Sequence, residues 1–195
     1  MQKINISKAF VDSFAIAVKN IPSIMGSTAL WLLTIWVPYI NVGTTIAIMS
    51  MPIELAKGRV MNPLSIFDSK YRKKMGDYII LMMITSMALF FAMLFAFVPA
   101  IVLAISWSMS VYVMIEHDKT PLEALKISNN ITYGNKWSIF AVYILVYIAF
   151  LILSFILSLI PVIGLLLVLI LYVGFMQSVN ASIWQQLQSS SEVVE

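Results

Sequence analysis

Residues 78–115 read YIILMMITSMALFFAMLFAFVPAIVLAISWSMSVYVMI and contain no Asp, Glu, Lys, Arg or His. This run is 38 residues long, whereas a helix needs about 20 apolar residues to cross the ~30 Å hydrocarbon core of a bilayer. The run is therefore too long for one crossing and about right for two. Pro99 lies near its middle, where it favours a turn between two helices. We predict a transmembrane helical hairpin whose two ends lie on the same face of the membrane.

Two other stretches of the chain repeat this pattern. Residues 20–53 and 137–191 are also uncharged, are 34 and 55 residues long, and have Pro38 and Pro161 near their middles. All 12 basic and 9 acidic residues lie outside the three stretches. We therefore predict an all-α integral membrane protein with six transmembrane helices arranged as three hairpins. The predicted helices cover residues 21–37, 39–56, 77–98, 100–115, 137–160 and 162–184.

The first hairpin is the shortest of the three and is at the lower limit for two full crossings. Pro22 and Pro52 lie near its two ends and are expected to shorten its helices further. A hairpin of this length could thin the bilayer locally or enter it without crossing. We favour full crossing.

The composition is typical of a membrane protein. Hydrophobic residues make up 61% of the chain, charged residues 11%, and the mean hydropathy is +0.95, whereas soluble domains are ~45–50% apolar and ~25% charged. The N-terminal region contains several charges and lacks a continuous apolar core, so we expect no cleaved signal peptide. The chain has no cysteine, which excludes disulfides and thiolate chemistry within it.

The distribution of basic residues predicts the orientation. Every Lys and Arg lies in the N-terminal segment or in residues 57–74 and 119–136, and the three opposite turns have none. Basic segments next to membrane helices face the cytoplasm. We therefore predict that the protein lies in the cytoplasmic (inner) membrane with both termini in the cytoplasm. The net charge of +3 then faces anionic lipid, so membrane lipid is an expected partner and nucleic acid is not.

Each predicted hairpin follows a short amphipathic segment. Asn62-Pro-Leu-Ser65 and Thr120-Pro-Leu-Glu123 begin 58 residues apart, and Ile6-Ser-Lys-Ala9 lies near the corresponding earlier position. Asn and Thr suit the N-cap, and proline suits the first helical position. We predict three amphipathic helices along the cytoplasmic interface, with their apolar sides towards the lipid. Their apolar residues follow helical spacing and are Phe10, Phe14 and Val18; Leu64, Phe67, Tyr71 and Met75; and Leu122 and Leu125.

One interfacial helix and one hairpin form a unit of about 60 residues that we expect to occur three times. The units cover roughly residues 5–57, 62–118 and 120–188. Together they make a single polytopic membrane domain over residues 1–188. The polar tail, residues 189–195, is expected to be disordered.

Four polar residues near the predicted inner ends of the helices are candidates for a functional site. Glu54, Glu116 and Gln177 lie 16, 17 and 16 residues after the three hairpin prolines. One hypothesis is that they form, with Asn180, a polar vestibule open to the cytoplasm. The alternative, which we favour, is that each residue ends its helix at the headgroups. Glu54 also lies three residues before Lys57, a spacing that favours a local ion pair.

The sixth predicted helix has a polar inner half. Gln177, Asn180 and Gln185 lie there, with Ser178 and Ser182 beside them. Such groups can hydrogen-bond between membrane helices or can line a small aqueous cavity. We favour bonding between helices.

His117, the only histidine, is flanked by Glu116 and Asp118. This arrangement resembles a metal ligand with carboxylate neighbours, but a single His is poor support for a metal site. A solvated turn is the better interpretation. No serine lies in a nucleophile motif such as G-x-S-x-G. We therefore predict no catalytic residue, no cofactor site and no metal site.

Several short runs carry a family resemblance. They are AISWSMSVY at 104–112, IEHD at 115–118, PLEALKIS at 121–128 and GNKW at 134–137. With Ile66-Phe-Asp68 and the Pro99 turn, they resemble a large group of uncharacterised bacterial polytopic membrane proteins, related to the membrane domain of some glycerophosphodiester phosphodiesterases. The resemblance covers roughly residues 55–185 and implies a membrane fold. It implies no catalytic residue, because the phosphodiesterase chemistry belongs to a separate soluble domain.

Two functions from different classes fit these observations. The first is a non-enzymatic scaffold, partner-binding or lipid-organising unit, with a protein partner at the cytoplasmic face or a second copy of the chain as its expected associates. The alternative is an oligomeric channel or uncoupled small-solute transporter. Coupled transporters usually hold ionisable groups deep in the membrane, and the centres of the predicted helices have none.

Overall fold

The computed structural model of the protein describes residues 3–159 and 163–190. These residues are mostly helical, and no strand occurs among them. The all-α prediction is therefore confirmed for this part of the chain. Its helices are α1 Ile6–Lys19, α2 Ile21–Thr34, α3 Ile40–Ala56, a 3-10 helix Pro63–Phe67, α4 Ser69–Lys73, α5 Met75–Phe95, α6 Phe97–Ser106, α7 Ser110–Glu116, α8 Pro121–Thr132, α9 Lys136–Leu157 and α10 Ile163–Ser190.

Four helical segments, one of which joins α6 and α7, are long and apolar enough to cross a bilayer. Helices α1 and α2 form a further candidate that is bent by 81°, and α3 is apolar but only 17 residues long. The protein is therefore a multi-pass membrane protein, with four or five candidate membrane-spanning segments among the described residues. Six crossings and their orientation stay predictions. The four long segments are Met75–Phe95, Phe97–Glu116, Lys136–Leu157 and Ile163–Ser189.

The expected shortening at Pro52 and the predicted end of the sixth helix at residue 184 are wrong. Pro52 lies inside α3, which reaches Ala56 as the predicted range 39–56 has it, because the buried packing of this helix offsets the single backbone hydrogen bond that proline removes. Helix α10 continues to Ser190, so the predicted tail begins as helix, while residues 191–195 lie outside the described part. Pro161, the predicted turn of the third hairpin, lies outside it too.

The second half of α10 lies at the centre of the fold. Helices α1, α2, α3 and α9 all pack against α10. Ile183, Trp184 and Leu187 are almost completely buried, whereas Leu165 and Leu166 in the first half are exposed. Lipid tails are as apolar as leucine, so this exposed half is suited to a lipid environment.

The fourth predicted helix is broken, and α8 fills the break. Helix α6 ends at Ser106, and α7 begins after Met109. The Ser128 hydroxyl of α8 donates to the Ser106 carbonyl oxygen at 2.7 Å and accepts from the Met109 amide at 3.2 Å. Thr132 donates to the same carbonyl oxygen at 3.3 Å. These bonds satisfy backbone groups that have no helical partner, which an apolar environment requires.

Only some of the apolar residues that were predicted to face the lipid are exposed in the amphipathic helices. In α1, Phe14 and Val18 are exposed, as a lipid-facing surface requires, while Ala9 and Ser13 are buried. In α8, Leu125 is buried, and Leu122 is 67% exposed. The reason is that these helices also pack against the bundle through small and hydroxyl residues, which allow close approach. Their position at the membrane interface stays a prediction.

A groove of about 330 Å³ lies between α6 and the start of α9. Phe97 and Val98 line it together with Lys136 and Trp137. The sequence predicts these two pairs at opposite faces of the membrane, so their approach is unexpected. Because α8 packs along both α6 and α7, it brings the start of α9 alongside α6.

Candidate functional site

Charged side chains from four helix ends surround one cavity, which we name the charged junction. Its charged residues are Glu54, Lys57, Lys70, Lys74 and Glu116, and its volume is about 330 Å³. Lys57 is the C-cap of α3, Glu116 ends α7, and Lys74 is the N-cap of α5. The tertiary structure therefore brings together charges from three separated segments of the sequence. The other lining residues are Ile46, Ser50, Ile53, Tyr71 and Ile115.

The Glu116 carboxylate is enclosed by three partners. Lys57 Nζ lies 2.8 Å from Oε1, and the other oxygen accepts from Trp184 Nε1 at 2.8 Å and from Gln188 Nε2 at 3.1 Å. Its side chain is only 11% exposed. Hydrogen bonds to an ionised group are roughly twice as strong as those between neutral groups. Glu116 thus joins the ends of α3 and α7 to the last turns of α10.

The Glu54 carboxylate has a weaker environment. Its Oε2 lies 3.4 Å from Arg59 Nη1, and 29% of its side chain is exposed. Exposed pairs of this kind contribute ~0–1 kcal/mol. The predicted local pair with Lys57 is wrong, because Lys57 instead pairs with Glu116, which is distant in sequence.

Lys74 connects the start of α5 to the loop that follows α7. Its ammonium group pairs with Asp118 and lies 3.8 Å from the Asp77 carboxylate. The hydrogen bond that Lys74 donates to Asp118 raises the pKa of Lys74, and burial opposes this effect. The same bond lowers the pKa of Asp118. Lys74 lines the charged junction, whereas Asp118 does not.

His117 lies in a turn, as predicted, but its ring is not fully solvated. The ring centroid lies 6.3 Å from that of Trp184, and the buried Nε2 atom has no hydrogen-bond partner. Burial lowers the pKa of His117, and the Glu116 charge opposes this shift. No group of three His, Cys, Asp or Glu side chains that could hold a metal ion occurs within the described ranges.

Gln177 and Asn180 lie apart from the two glutamates. Asn180 Oδ1 accepts a hydrogen bond from the Tyr143 hydroxyl of α9 at 3.0 Å. Gln177 is 8% exposed, and neither residue lines the charged junction. The four candidate residues therefore divide into a charged pair around one cavity and an amide pair inside the bundle.

Ser178 and Ser182 are completely buried, and their hydroxyl oxygens have no hydrogen-bond partner. The predicted bonding between helices is therefore present at Asn180, while these two serines act in packing by their small size. Close packing is evident one turn earlier, where a Cβ on Gly174 would lie 2.7 Å from the Ile24 side chain of α2.

The sequence did not identify Lys70, Lys74, Trp184 or Gln188 as neighbours of the candidate glutamates. Trp184 lies 68 residues after Glu116, so no local spacing rule relates them. Their common predicted depth in the membrane was the only available signal.

The chain matches no protein-family model, no curated protein and no solved structure. The resemblance to the membrane domain of glycerophosphodiester phosphodiesterases stays a prediction.

Proposed function

We propose that the protein is a non-enzymatic scaffold of the bacterial cytoplasmic membrane that organises lipid, or a partner protein, around its charged junction. The main support for this proposal is that the Glu116 carboxylate is bound by three side chains from other segments, Lys57, Trp184 and Gln188. A carboxylate enclosed by groups from other helices is suited to fixing the positions of those helices. It is poorly suited to repeated contact with a passing solute.

The hydrogen bonds of the first hairpin support the same view. Trp31 Nε1 of α2 donates to the Thr45 hydroxyl of α3 at 3.0 Å, and the hydroxyls of Thr34 and Thr44 are also 3.0 Å apart. Hydroxyl and indole groups in this hairpin thus bond between its two helices. We propose that α2 and α3 cross the membrane as the first of three hairpins, with both termini in the cytoplasm.

Cysteine labelling tests this topology, because the native chain has no cysteine. Tyr39→Cys and Lys73→Cys should react with an impermeant maleimide from opposite sides of the membrane. Reaction of both from the cytoplasmic side would contradict the proposed crossing and would make the first hairpin re-entrant.

The second candidate function is a channel or uncoupled small-solute transporter. It is favoured by one observation, that Glu54 and Glu116 line the same cavity of about 330 Å³. In this function the charged junction would be the inner mouth of a pathway, which Gln177 and Asn180 do not line.

Flux measurements distinguish the two functions. The purified protein is reconstituted into liposomes, and the permeation of protons, potassium and glycerol is compared with that of protein-free liposomes. The scaffold proposal expects no difference. A flux that falls in Glu54→Gln but persists in Asp68→Asn would replace it with the channel, since Asp68 is an exposed carboxylate outside the cavity.

A further inference from the structure

Most charged side chains of the charged junction have an ion-pair partner of opposite sign, but one does not. Both of its carboxylates already have a cationic partner: Glu116 pairs with Lys57, and Glu54 pairs with Arg59, which does not line the cavity. Lys74 is paired outside the cavity with Asp118 and Asp77. The remaining charge in the wall is Lys70.

Lys70 forms no ion pair with any described residue. Its ammonium group instead lies 4.8 Å from the ring centroid of Tyr71. A cation over an aromatic ring is stabilised by ~0.5–1 kcal/mol at an exposed site, and the ammonium hydrogens remain free to donate. Lys70 therefore presents an uncompensated positive charge to the cavity.

Lys57 and Lys74 add further donors around the same space. An ammonium group has three donors, so the bond from Lys57 to Glu116 leaves others free. The side chain of Asp118 is 81% exposed, and water weakens its hold on Lys74. Three lysines, Lys57, Lys70 and Lys74, thus line the same cavity.

We propose that the charged junction binds a phosphate group, supplied by an anionic phospholipid headgroup or by a small phosphorylated molecule. A phosphate presents several strong acceptor oxygens with a full negative charge, which suits several lysines at once. The cavity is at the lower end of the ~300–1,000 Å³ range of small-ligand sites. Basic pockets between membrane helices bind lipid headgroups in the same way. The inference deepens the proposed function by naming the lipid class that the scaffold would organise.

Binding measurements on the intact, detergent-purified chain test this inference. Native mass spectrometry compares retention of dioleoylphosphatidylglycerol with that of dioleoylphosphatidylcholine, and calorimetry measures inorganic phosphate. We expect preferential binding of phosphatidylglycerol or of phosphate, weakened about tenfold in Lys70→Gln, since one charge-assisted hydrogen bond is lost. Lys73→Gln is the matched control, because Lys73 is exposed on the same helix and does not line the cavity.

The two sources of phosphate give different results. Binding of phosphatidylglycerol alone identifies a lipid site, and binding of inorganic phosphate with the same Lys70 dependence identifies a site for a soluble phosphorylated molecule. Equal losses in Lys70→Gln and Lys73→Gln would overturn the proposal, because they indicate diffuse surface charge. Absence of binding by either probe would also overturn it. The binding measurements and the flux assay are independent of each other. The phosphate-site proposal can therefore be overturned while the scaffold proposal stands, and the reverse.

Discussion

Glu54 and Glu116 occupy equivalent positions in the sequence but different environments in the fold. They lie 16 and 17 residues after Pro38 and Pro99, and both line the charged junction. Glu116 is covered by Trp184 and has three partners, whereas Glu54 has one long contact with a surface arginine. The difference arises because α10 passes over one wall of the cavity. Similar spacing from the hairpin proline therefore predicts a similar depth in the membrane, but it does not predict that the two residues have the same role.

The largest expected effect is the loss of the Glu116 carboxylate. Glu116→Ala leaves Lys57, Trp184 and Gln188 without their common acceptor, which should lower the free energy of unfolding by about 3 kcal/mol. Thermal unfolding in detergent, monitored by circular dichroism, measures the change. Glu116→Gln retains part of the bonding and should lose less. Unchanged stability in Glu116→Ala would show that the three contacts do not hold the helix ends together.

A smaller effect is expected from the indole of Trp184. Trp184→Phe removes the hydrogen bond to Glu116 and retains a ring against Tyr112, whose centroid lies 5.6 Å from that of Trp184. We expect a loss of about 1 kcal/mol in the same unfolding assay. In a Glu116→Ala background the substitution should cost less, because the acceptor is already absent. Additive losses would argue against a direct bond.

The pair between Lys74 and Asp118 should give a pH-dependent effect. The folded-state pKa of Asp118 lies below its ordinary value of 3.8, so the pair stabilises above that value and is lost as pH falls through the lowered pKa. The raised pKa of Lys74 maintains it until pH rises beyond the ordinary lysine value of 10.5. The difference in melting temperature between wild type and Asp118→Asn should therefore be present at neutral pH and disappear in strong acid. A difference that is independent of pH would exclude the ion pair as its cause.

The smallest effect is expected at Glu54. Glu54→Ala removes a partly exposed contact with Arg59, so the free energy of unfolding should change by less than about 1 kcal/mol. The comparison with Glu116→Ala is direct, since both substitutions remove a carboxylate from the same cavity. A loss as large as that of Glu116→Ala would mean that the two carboxylates contribute equally to stability, despite their different contacts.

The local features of the fold were predictable from the sequence. The predicted helix over residues 77–98 corresponds to α5 Met75–Phe95. It was predictable because an uncharged apolar run of about this length is typical of a membrane-spanning helix. The start of α8 was also predictable, since Thr120 and Glu123 form the expected capping box. Asn62 likewise accepts from the Leu64 amide at the start of the 3-10 helix.

The candidate site was predictable only in its two carboxylates. Lys57 was expected to pair with Glu54, three residues away, and pairs instead with Glu116. The break after Ser106 was not expected, because the group that satisfies it, Ser128, belongs to another helix. Spacing rules describe neighbours on one helix, and these contacts join different helices.

By itself, the sequence determined that this chain is helical, that its charges lie outside the long apolar segments, and where its capped helices begin. These properties follow from local chain chemistry and from the length of an apolar helix. Only the tertiary structure decided that α10 lies at the centre, that Glu116 is closed while Lys70 remains uncompensated, and that Gln177 and Asn180 are separate from both. The physical reason is that apolar helices in lipid can pack in many arrangements. The choice among them depends on small residues and on a few polar contacts between distant segments.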